Sequence, residues 1–306
     1  MRYSVWVSSG YSWDDILSLS RHIETTGWDG VWIPDHFMPP ETGYGNEPDP
    51  GHDPELDPVH EGWTVLAALA GLIPRVRLGM LVSGNTYRHP AVLAKMAATI
   101  DHISGGRHIL GLGTGWQENE HTRYGISYPS HAELSGRLEE SAAVITSLFS
   151  NTRSTLPGTF YQLSEAPLEP KPLQSPMPLL IGGGGERRTI RTAARYATHW
   201  NAWGSPATMA HKIGVLARHC DEAGRDLAEV GPSANSFLVI VDESGAGVAA
   251  REAMGDKGGL VGTPDQIRSS IDAYEQAGVD ELVIASFNHT PEALLGALAR
   301  FREIIA

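Results

Sequence analysis

Four consecutive glycines, Gly182 to Gly185, follow the short apolar run PLLI and precede a charged, alanine-rich segment that begins at Glu186. Glycine loses more backbone entropy on folding than any other residue, so a run of four needs a reason. A flexible turn is one interpretation. The other is a strand end leading into a helix, whose N-terminal N–H groups bind phosphate with help from Arg187, Arg188 or Thr189. We interpret the run as a phosphate cradle.

A second candidate is the pair Asp35 and His36, which ends the apolar run GVWIP. A histidine beside a carboxylate at the mouth of a cavity forms an acid–base pair in many enzymes. The alternative is a structural or helix-capping pair, and the residue types alone favour that alternative.

Other kinds of catalytic chemistry have little support in the sequence. None of the thirteen histidines has metal-ligand spacing, and no His-Glu-x-x-His motif is present. The sequence contains no Gly-x-Ser-x-Gly motif, and Cys220 lies within a helical pattern. We therefore expect neither a metal site nor a covalent nucleophile.

Composition and charge exclude several classes of partner. The 306 residues are 41% hydrophobic and 19% charged, and the net charge is −13 without any basic block. This balance argues against a nucleic-acid partner. No run reaches the ~18 apolar residues of a membrane span, and the N-terminus lacks a signal-peptide pattern. With Cys220 as the one cysteine, we expect a cytoplasmic protein that acts on a small-molecule substrate.

The order of elements predicts the fold. Apolar runs typical of strands alternate eight times with amphipathic helical patterns, and such alternation implies parallel strands. At this length it favours a TIM (β/α)8 barrel over an open sheet, and in a barrel the functional groups lie at the carboxyl ends of the strands. The predicted strands are residues 3–8, 30–35, 76–83, 107–115, 177–183, 198–203, 233–241 and 280–287.

Two segments interrupt the alternation within one predicted domain, residues 1–306. Residues 37–61 are rich in proline and acids and contain no Lys or Arg, so they predict a lid-like loop after the second strand. A solvated acidic surface is the alternative. Residues 151–176 precede the fifth strand, and the sequence GTFYQLS within them favours a small hairpin.

Three segments resemble the bacterial luciferase-like superfamily, and within it the branch that uses the deazaflavin coenzyme F420. They are VWIPDHF, LGMLVSGNTYRHPAVLAKMAATIDHISGGRHILGLGTGW and PLLIGGGGERRTIRTAARYATHWN, and the resemblance runs over about residues 2–240. It implies a TIM barrel, a cofactor whose ring lies at the barrel mouth and whose phosphate lies at the fifth-strand loop, and a homodimer.

The resemblance also implies roles for particular residues. Asp35 and His36 match a pair close to the cofactor ring, and the glycine run would allow close approach of the backbone to the phosphate. A non-proline cis peptide is expected behind the ring at Met80–Leu81. The other matching cofactor contacts are Asn85, Gly113, Asn119, Gly182, Gly183, Gly184 and Gly185.

The sequence departs from the family at one position. In a sugar-phosphate dehydrogenase of this family, a proton-donating glutamate follows the fourth-strand glycine, where this chain has Trp116. We therefore do not expect sugar-phosphate activity. Our candidate proton donor is His36; Glu118 and Glu120 are less favoured candidates, because their positions fit solvated loop residues. The expected reaction is hydride transfer between F420 and a small organic substrate.

Three other interpretations stay open at this point. An FMN-dependent luciferase-like monooxygenase would share the fold and the glycine run, and a non-catalytic flavin- or deazaflavin-binding protein would bind without turnover. A sugar- or phosphate-processing barrel without a redox cofactor predicts paired carboxylates at strand ends, where only Asp35 is well placed.

Overall fold

The computed structural model describes residues 1–41, 52–243, 245–287 and 289–306. In chain order, the strands in these ranges are β1 (Arg2–Trp6), β2 (Gly30–Ile33), β3 (Arg77–Met80), β4 (Ser83–Gly84), β5 (His108–Gly113), β6 (Ser154–Pro157), β7 (Gln162–Ala166), β8 (Leu179–Gly182), β9 (His199–Trp203), β10 (Gly231–Ile240), β11 (Gly259–Gly262) and β12 (Glu281–Ala285).

Eight of these strands close into a parallel barrel. They follow one another around it as β1, β2, β3, β5, β8, β9, β10 and β12, and β12 pairs back with β1. The short β4 continues the line of β3 beside β5. The predicted TIM barrel is therefore confirmed, and each predicted strand overlaps the observed one.

Helices cover the outside of the barrel. In the described ranges they are α1 (Trp13–Thr25), α2 (Gly62–Leu72), α3 (Pro90–Ser104), α4 (Glu118–Tyr124), α5 (His131–Ser150), α6 (Thr189–Tyr196), α7 (Pro206–Ala223), α8 (Val248–Met254), α9 (Pro264–Gln276) and α10 (Pro291–Ile305). Short 3-10 turns span Pro54–Leu56, Leu227–Glu229 and Gly255–Lys257. None of the described helices has the length and apolar character that a membrane span requires.

Local sequence explains where many helices begin. The helices α3, α7, α9 and α10 start at a proline, whose fixed φ suits the first helical turn and whose missing N–H would have no partner there. Ser12, Ser130 and Thr263 cap α1, α5 and α9 by accepting a hydrogen bond from a backbone N–H in the first turn.

The two predicted insertions differ in what the structure describes. Residues 42–51 of the predicted lid lie outside the described residues; beyond them, Glu55 accepts a hydrogen bond from Asn119 and pairs with Arg123 of α4. The segment 151–176 contains the antiparallel hairpin of β6 and β7. Sequence patterns did not predict α4, α8 or β11, which are seven residues long or shorter.

The hydrophobic core has two parts. A large layer between the helices and the outer faces of the strands includes Trp28, Trp63 and Trp200. A small separate cluster fills the barrel interior, and its members are Trp32, Leu81, Ile109, Leu180 and Val283. Inward-facing side chains thus make the barrel a packed core below its mouth.

A charged network closes the amino-terminal end of the barrel. The carboxylate of the buried Glu281 accepts hydrogen bonds from Ser4 Oγ at 2.5 Å, Arg77 Nη2 at 3.0 Å and Trp32 Nε1 at 3.3 Å. Burial favours the neutral acid, but the charges of Arg77 and Arg2 and the bond from Ser4 outweigh it, so the pKa of Glu281 lies below its ordinary value. Since this end is opposite the functional end of a barrel, we assign the network to stability.

Replacing Glu281 by alanine is expected to lower the free energy of unfolding by about 3–5 kcal/mol. The change leaves the buried Ser4 hydroxyl and Trp32 indole N–H without an acceptor, at about 1–3 kcal/mol each, and removes the counter-charge of the partly buried Arg77. Urea unfolding followed by tryptophan fluorescence measures this loss. Because the folded-state pKa is depressed, the contribution is complete above the ordinary glutamate pKa of about 4.3 and is lost as pH falls through the folded value. The deficit of the variant should therefore shrink on acidification.

The matched control is Glu303→Ala, which removes an exposed carboxylate from α10. Surface changes of this kind alter stability by no more than about 0.5 kcal/mol. An equal effect of both substitutions would contradict the assignment.

Candidate active site

A cavity of about 350 Å³ opens at the carboxyl ends of the barrel strands. Its described lining combines apolar and small polar groups contributed by seven strand ends. The described lining residues are Trp6, Asp35, His36, Leu81, Val82, Gly84, Tyr87, Gly113 to Trp116, Gly182 to Gly184, Asn201 to Trp203 and Asn235. The cavity therefore lies where a barrel of this kind places its functional groups.

A buried carboxylate holds His36 in place. His36 Nδ1 lies 2.8 Å from Glu120 Oε1, and the backbone N–H of Phe37 donates to Glu120 Oε2 at 2.8 Å. The hydroxyl of Tyr87 also donates to Glu120 Oε1. Glu120 is fully buried, whereas the His36 side chain is 15% exposed toward the cavity. Its Nε2 has no hydrogen-bond partner among the described residues.

The electrostatics of this cluster favour an ionised Glu120. Burial alone would raise the pKa of its carboxyl, but hydrogen bonds from His36, Phe37 and Tyr87 and the charge of His36 outweigh burial and hold the pKa below its ordinary value. Burial, and then the negative charge of Glu120, raise the pKa of Tyr87, which stays a hydrogen-bond donor. With an ionised acceptor at 2.8 Å, His36 carries a proton on Nδ1, and this leaves Nε2 to exchange protons with the cavity.

Asp35 belongs to a second cluster. Arg88 donates to Asp35 Oδ2 at 2.7 Å and to Glu61 Oε1 at 2.6 Å, so one guanidinium joins the end of β2 to the start of α2. Asp35 is 1% exposed, and burial raises the pKa of its carboxyl although Arg88 opposes this shift. The ion pair with Arg88 fixes the Asp35 side chain. Of the two residues Asp35 and His36, it is therefore His36 that can exchange a proton with a ligand in the cavity.

Asp35 and Trp6 line the cavity, and Asn85 follows the lining residue Gly84. Three buried polar atoms of these residues, Asp35 Oδ1, Asn85 Nδ2 and Trp6 Nε1, have no hydrogen-bond partner among the described residues. Buried polar groups are almost always paired in folded proteins, so unpaired ones next to a cavity are available to a ligand. The set contains two donors and a carboxyl oxygen.

The non-proline cis peptide was expected at Met80–Leu81, but the structure has it at Leu81–Val82. The prediction was wrong by one residue because the N–H of Leu81 still continues the strand ladder, donating to the Ile33 carbonyl at 2.9 Å. The chain departs from β2 only after that bond. Met80 accordingly lies in the outer core, while Leu81 and Val82 line the cavity.

Gly113 and Gly182, at the ends of the fourth and fifth barrel strands, lie against the side chain of Val82. Gly79 pairs with Ile109 whereas Ser83 pairs with Leu112, so one extra residue bulges out beside β5. A Cβ on Gly113 would lie 2.5 Å from Val82 Cγ2, and one on Gly182 would lie 2.7 Å from Val82 Cγ1. Both glycines therefore make room for Val82, and this bulge forms part of the cavity wall.

The rest of the glycine run has other constraints. Gly183 has φ +125°, a conformation that side chains disfavour, and its N–H donates to the Asn201 carbonyl at 2.8 Å. The amides of Gly184 and Gly185 donate to no group in the described part of the chain. The helix after the run begins at Thr189 and not at Glu186, because residues 186–188 form a turn first. The amides facing a phosphate would be those of this turn and of Gly184 and Gly185.

Among the other predicted contacts, Asn119 lies away from the cavity. Asn119 donates its amide to the Pro39 carbonyl and to Glu55 Oε1, both at 2.9 Å, and so ties α4 to the segment after β2. The interpretation of Glu118 and Glu120 as solvated was right for Glu118, which is exposed, and wrong for Glu120. The helix α4 turns the two side chains to opposite faces.

Sequence reasoning missed Glu120, Tyr87, Arg88 and Val82. A signal for Glu120 exists, since Gln117, Glu120 and His121 recur at helical spacing and form the buried face of α4. The sequence patterns did not predict α4 because its buried face is polar, and a polar face gives no apolar periodicity.

Aromatic side chains form much of the remaining wall. Trp203 stacks on Phe237 with centroids 4.8 Å apart, and Trp6 contacts the edge of Phe287 at 4.6 Å. Trp116 lies edge-on to His36 at 5.5 Å and is 62% exposed. An indole this exposed at a cavity mouth is available for contact with a ligand.

The fold and site agree with the comparison to protein families. A model of the luciferase-like monooxygenase family matches residues 1–251, so this chain belongs to that family. The resemblance expected from the sequence motifs is thereby confirmed at the level of the family. The closed parallel barrel agrees with this membership.

Individual relatives use two kinds of cofactor according to their names. The F420-dependent glucose-6-phosphate dehydrogenase of Amycolatopsis mediterranei is 33% identical over 56% of this chain; the chain spans about half of that relative, 48%. The FMNH2-dependent dimethylsulfone monooxygenase of Pseudomonas putida is 29% identical over 77% of this chain and 76% of that relative.

A solved structure supports the fold alone, because its sequence identity is only 18%. It is an F420-dependent secondary alcohol dehydrogenase in complex with an F420-acetone adduct, with a TM-score of 0.82 over 99% of this chain and 97% of that chain. Among the described residues, no group of three His, Cys, Asp or Glu side chains converges as metal ligands would. The homodimer and the cytoplasmic location stay predictions.

The steric account of the glycines predicts an energetic coupling to Val82. Gly182→Ala is expected to lower stability by about 1–3 kcal/mol through overpacking. In a Val82→Ala background the same change should cost less, giving a coupling of at least about 0.5 kcal/mol in a double-mutant cycle. Chemical denaturation of the four proteins measures it.

Gly214→Ala is the control, because an added Cβ there meets nothing within 4 Å on α7. That change should be neutral or stabilising by up to about 1 kcal/mol. Additive effects of Gly182→Ala and Val82→Ala would rule out the proposed steric link.

Proposed function

We propose that this protein is an oxidoreductase that transfers a hydride between coenzyme F420 and a small organic substrate, with His36 as the proton-transfer residue. One observation carries the proposal. His36 Nδ1 lies 2.8 Å from the buried carboxylate of Glu120, while His36 Nε2 has no partner among the described residues and can contact a ligand in the cavity. The names of F420-dependent relatives support the choice of cofactor.

The residues at the cavity fit the ring of such a cofactor. The pyrimidinedione edge of a flavin or deazaflavin carries both N–H donors and C=O acceptors. The unpaired Nδ2 of Asn85 and Nε1 of Trp6 are donors, and the unpaired Oδ1 of Asp35 is an acceptor. Together they match the mixed polarity of that edge. Leu81 and Val82 would supply an apolar wall for the ring.

The cofactor phosphate would be held by the glycine run. The backbone amides of Gly184 and Gly185 are unused among the described residues, and Lys212 Nζ lies 2.7 Å from the Gly184 carbonyl. Unpaired amides and an ammonium form an anion-binding site when they converge. Only half of the run would serve this purpose, since Gly182 accommodates Val82 and the N–H of Gly183 is occupied.

The chemistry supplied by bound F420 is acceptance or donation of a hydride. An alcohol that loses hydride from carbon also loses the proton of its hydroxyl, and a carbonyl that gains hydride gains a proton on oxygen. His36 Nε2 takes or gives that proton at the substrate oxygen. The ionised Glu120 stabilises the imidazolium form of His36 and fixes the ring so that Nε2 is the exchanging atom.

A second candidate function is that of an FMN-dependent monooxygenase. The Pseudomonas putida relative favours it, since that alignment covers a larger share of this chain than the glucose-6-phosphate dehydrogenase alignment does, 77% against 56%. Both cofactors share the polar ring edge, so the unpaired atoms do not distinguish them. Non-catalytic cofactor binding is the third candidate, and the proton-transfer pair of His36 and Glu120 argues against it.

Titration of the purified protein with F420 and, separately, with FMN tests the cofactor. We expect tighter binding of F420, followed by fluorescence. Gly184→Val should weaken that binding about 10- to 100-fold by blocking hydrogen bonds to the phosphate, each worth about 1.5–3 kcal/mol. The control Gly214→Val places the same side chain on α7, in open space. Preference for FMN would transfer the assignment to a monooxygenase.

The role of Glu120 is tested by Glu120→Gln. The amide cannot accept all three donors and removes the charge beside His36, so we expect turnover to fall about 10²- to 10⁴-fold, the range that acid–base catalysis contributes. The affinity for F420 should change much less than turnover, because Glu120 contacts His36 from behind and does not line the cavity. Steady-state rates and a fluorescence titration with F420 measure the two effects.

Glu118→Gln is the matched control, because Glu118 lies two residues away on α4 and is exposed. It should leave both turnover and the affinity for F420 unchanged. A Glu120→Gln variant that folds and loses affinity and turnover by the same factor would limit Glu120 to a structural role.

A further inference from the structure

The charges around the cavity restrict the substrate. Among the described lining residues the ionisable side chains are Asp35, His36 and Tyr87, and none is Lys or Arg. Glu120 adds a negative charge directly behind His36. The residues outside the described ranges contribute two acids and no Lys or Arg to the sequence. An anionic group on the substrate would thus meet acids and, apart from His36, which is already paired with Glu120, no basic side chain in the described lining.

Two cations contact residues of the cavity lining, and each is held by partners there. Arg88 bridges Asp35 and Glu61 at 2.7 and 2.6 Å. Lys212 donates to the Gly184 carbonyl and lies 3.5 Å from Glu186, on the side where the cofactor phosphate would lie. A buried anion without a counter-charge is strongly disfavoured.

The walls of the cavity favour apolar groups. Trp6 and Trp203 line one part of it with ring centroids 6.3 Å apart, and Trp116 stands beside His36 with most of its surface exposed. Indole faces and edges bind flat or branched apolar groups, and covering the exposed Trp116 removes apolar surface from water. The cavity of about 350 Å³ would hold the cofactor ring as well, so the substrate is small.

We infer that the substrate is an uncharged, largely apolar alcohol or its carbonyl counterpart, and that phosphorylated sugars and hydroxy acids are excluded. This inference rests on the proposed function. The alcohol carbon loses a hydride to F420 and its hydroxyl proton goes to His36 Nε2, which leaves a C=O bond; reduction of the carbonyl reverses both transfers.

Two probes that share an aryl carbinol and differ in charge test the inference. These are 1-phenylethanol, which has a methyl group, and mandelate, which has a carboxylate in its place. Calorimetric titration of the protein, alone and with reduced F420, should give at least about tenfold tighter binding of 1-phenylethanol, since the carboxylate would be desolvated without a partner. Glucose 6-phosphate is a third probe and should bind no better than mandelate.

A change of charge at the cavity mouth gives the matched variants. Trp116→Lys places an ammonium at a largely exposed position and should raise the affinity for mandelate relative to 1-phenylethanol about tenfold, whereas Trp116→Gln, without the charge, should weaken both. Mandelate or glucose 6-phosphate binding as tightly as 1-phenylethanol to the unchanged protein would overturn the inference. So would failure of 1-phenylethanol to bind at all.

These outcomes are separable from failure of the proposed function. The preference between the two probes is measured by binding without turnover. The result therefore tests the inference whichever cofactor the protein uses. If the protein prefers FMN to F420, the proposed hydride chemistry is wrong, and the preference for an uncharged ligand is still tested by the titration of the protein alone.

Discussion

The carboxylate of Glu120 is the interaction on which the site depends. It is fully buried, and it accepts hydrogen bonds from a side chain and a backbone amide after β2 and from a side chain after β4. Withdrawing a charge from water is costly unless donors replace the lost hydration. Here the donors of His36, Phe37 and Tyr87 replace that hydration, and the hydrogen bond fixes the orientation of each donor. The position of the imidazole follows from the need to solvate one buried anion.

Packing around Val82 is the second constraint. The bulge beside β5 pushes its side chain between the ends of two strands, and glycine at positions 113 and 182 leaves the space it needs. The glycine run therefore meets two requirements. Gly182 leaves space for Val82, and in the proposed function the amides of Gly184 and Gly185 would bind the cofactor phosphate. The same residue type meets both needs because both require the absence of a Cβ.

The two ends of the barrel treat polar groups differently. At the amino-terminal end, the buried Glu281 is satisfied by Ser4, Trp32 and Arg77. At the carboxyl end, polar atoms of Asp35, Asn85 and Trp6 are buried without partners among the described residues. Satisfied networks stabilise a fold, whereas unsatisfied atoms beside a cavity are available to a ligand. Arg2 Nε, 3.7 Å from Glu281, also has no hydrogen-bond partner among the described residues, so it is the cavity next to the unpaired atoms that distinguishes the carboxyl end.

The sequence by itself determined the barrel, because alternating strands and helices and the prolines and caps at helix starts are local signals. It also determined the Asp35–His36 pair and the glycine run as candidates. Only the tertiary structure decided which candidates meet: His36 with Glu120, 84 residues away, and Gly182 with Val82, 100 residues away. In the structure, Met80 and Asn119 lie away from the cavity, and the cis peptide is at Leu81–Val82 rather than at the predicted Met80–Leu81. Such contacts depend on how strands are staggered around the barrel, and a one-residue bulge changes that stagger without leaving a mark in hydrophobic periodicity.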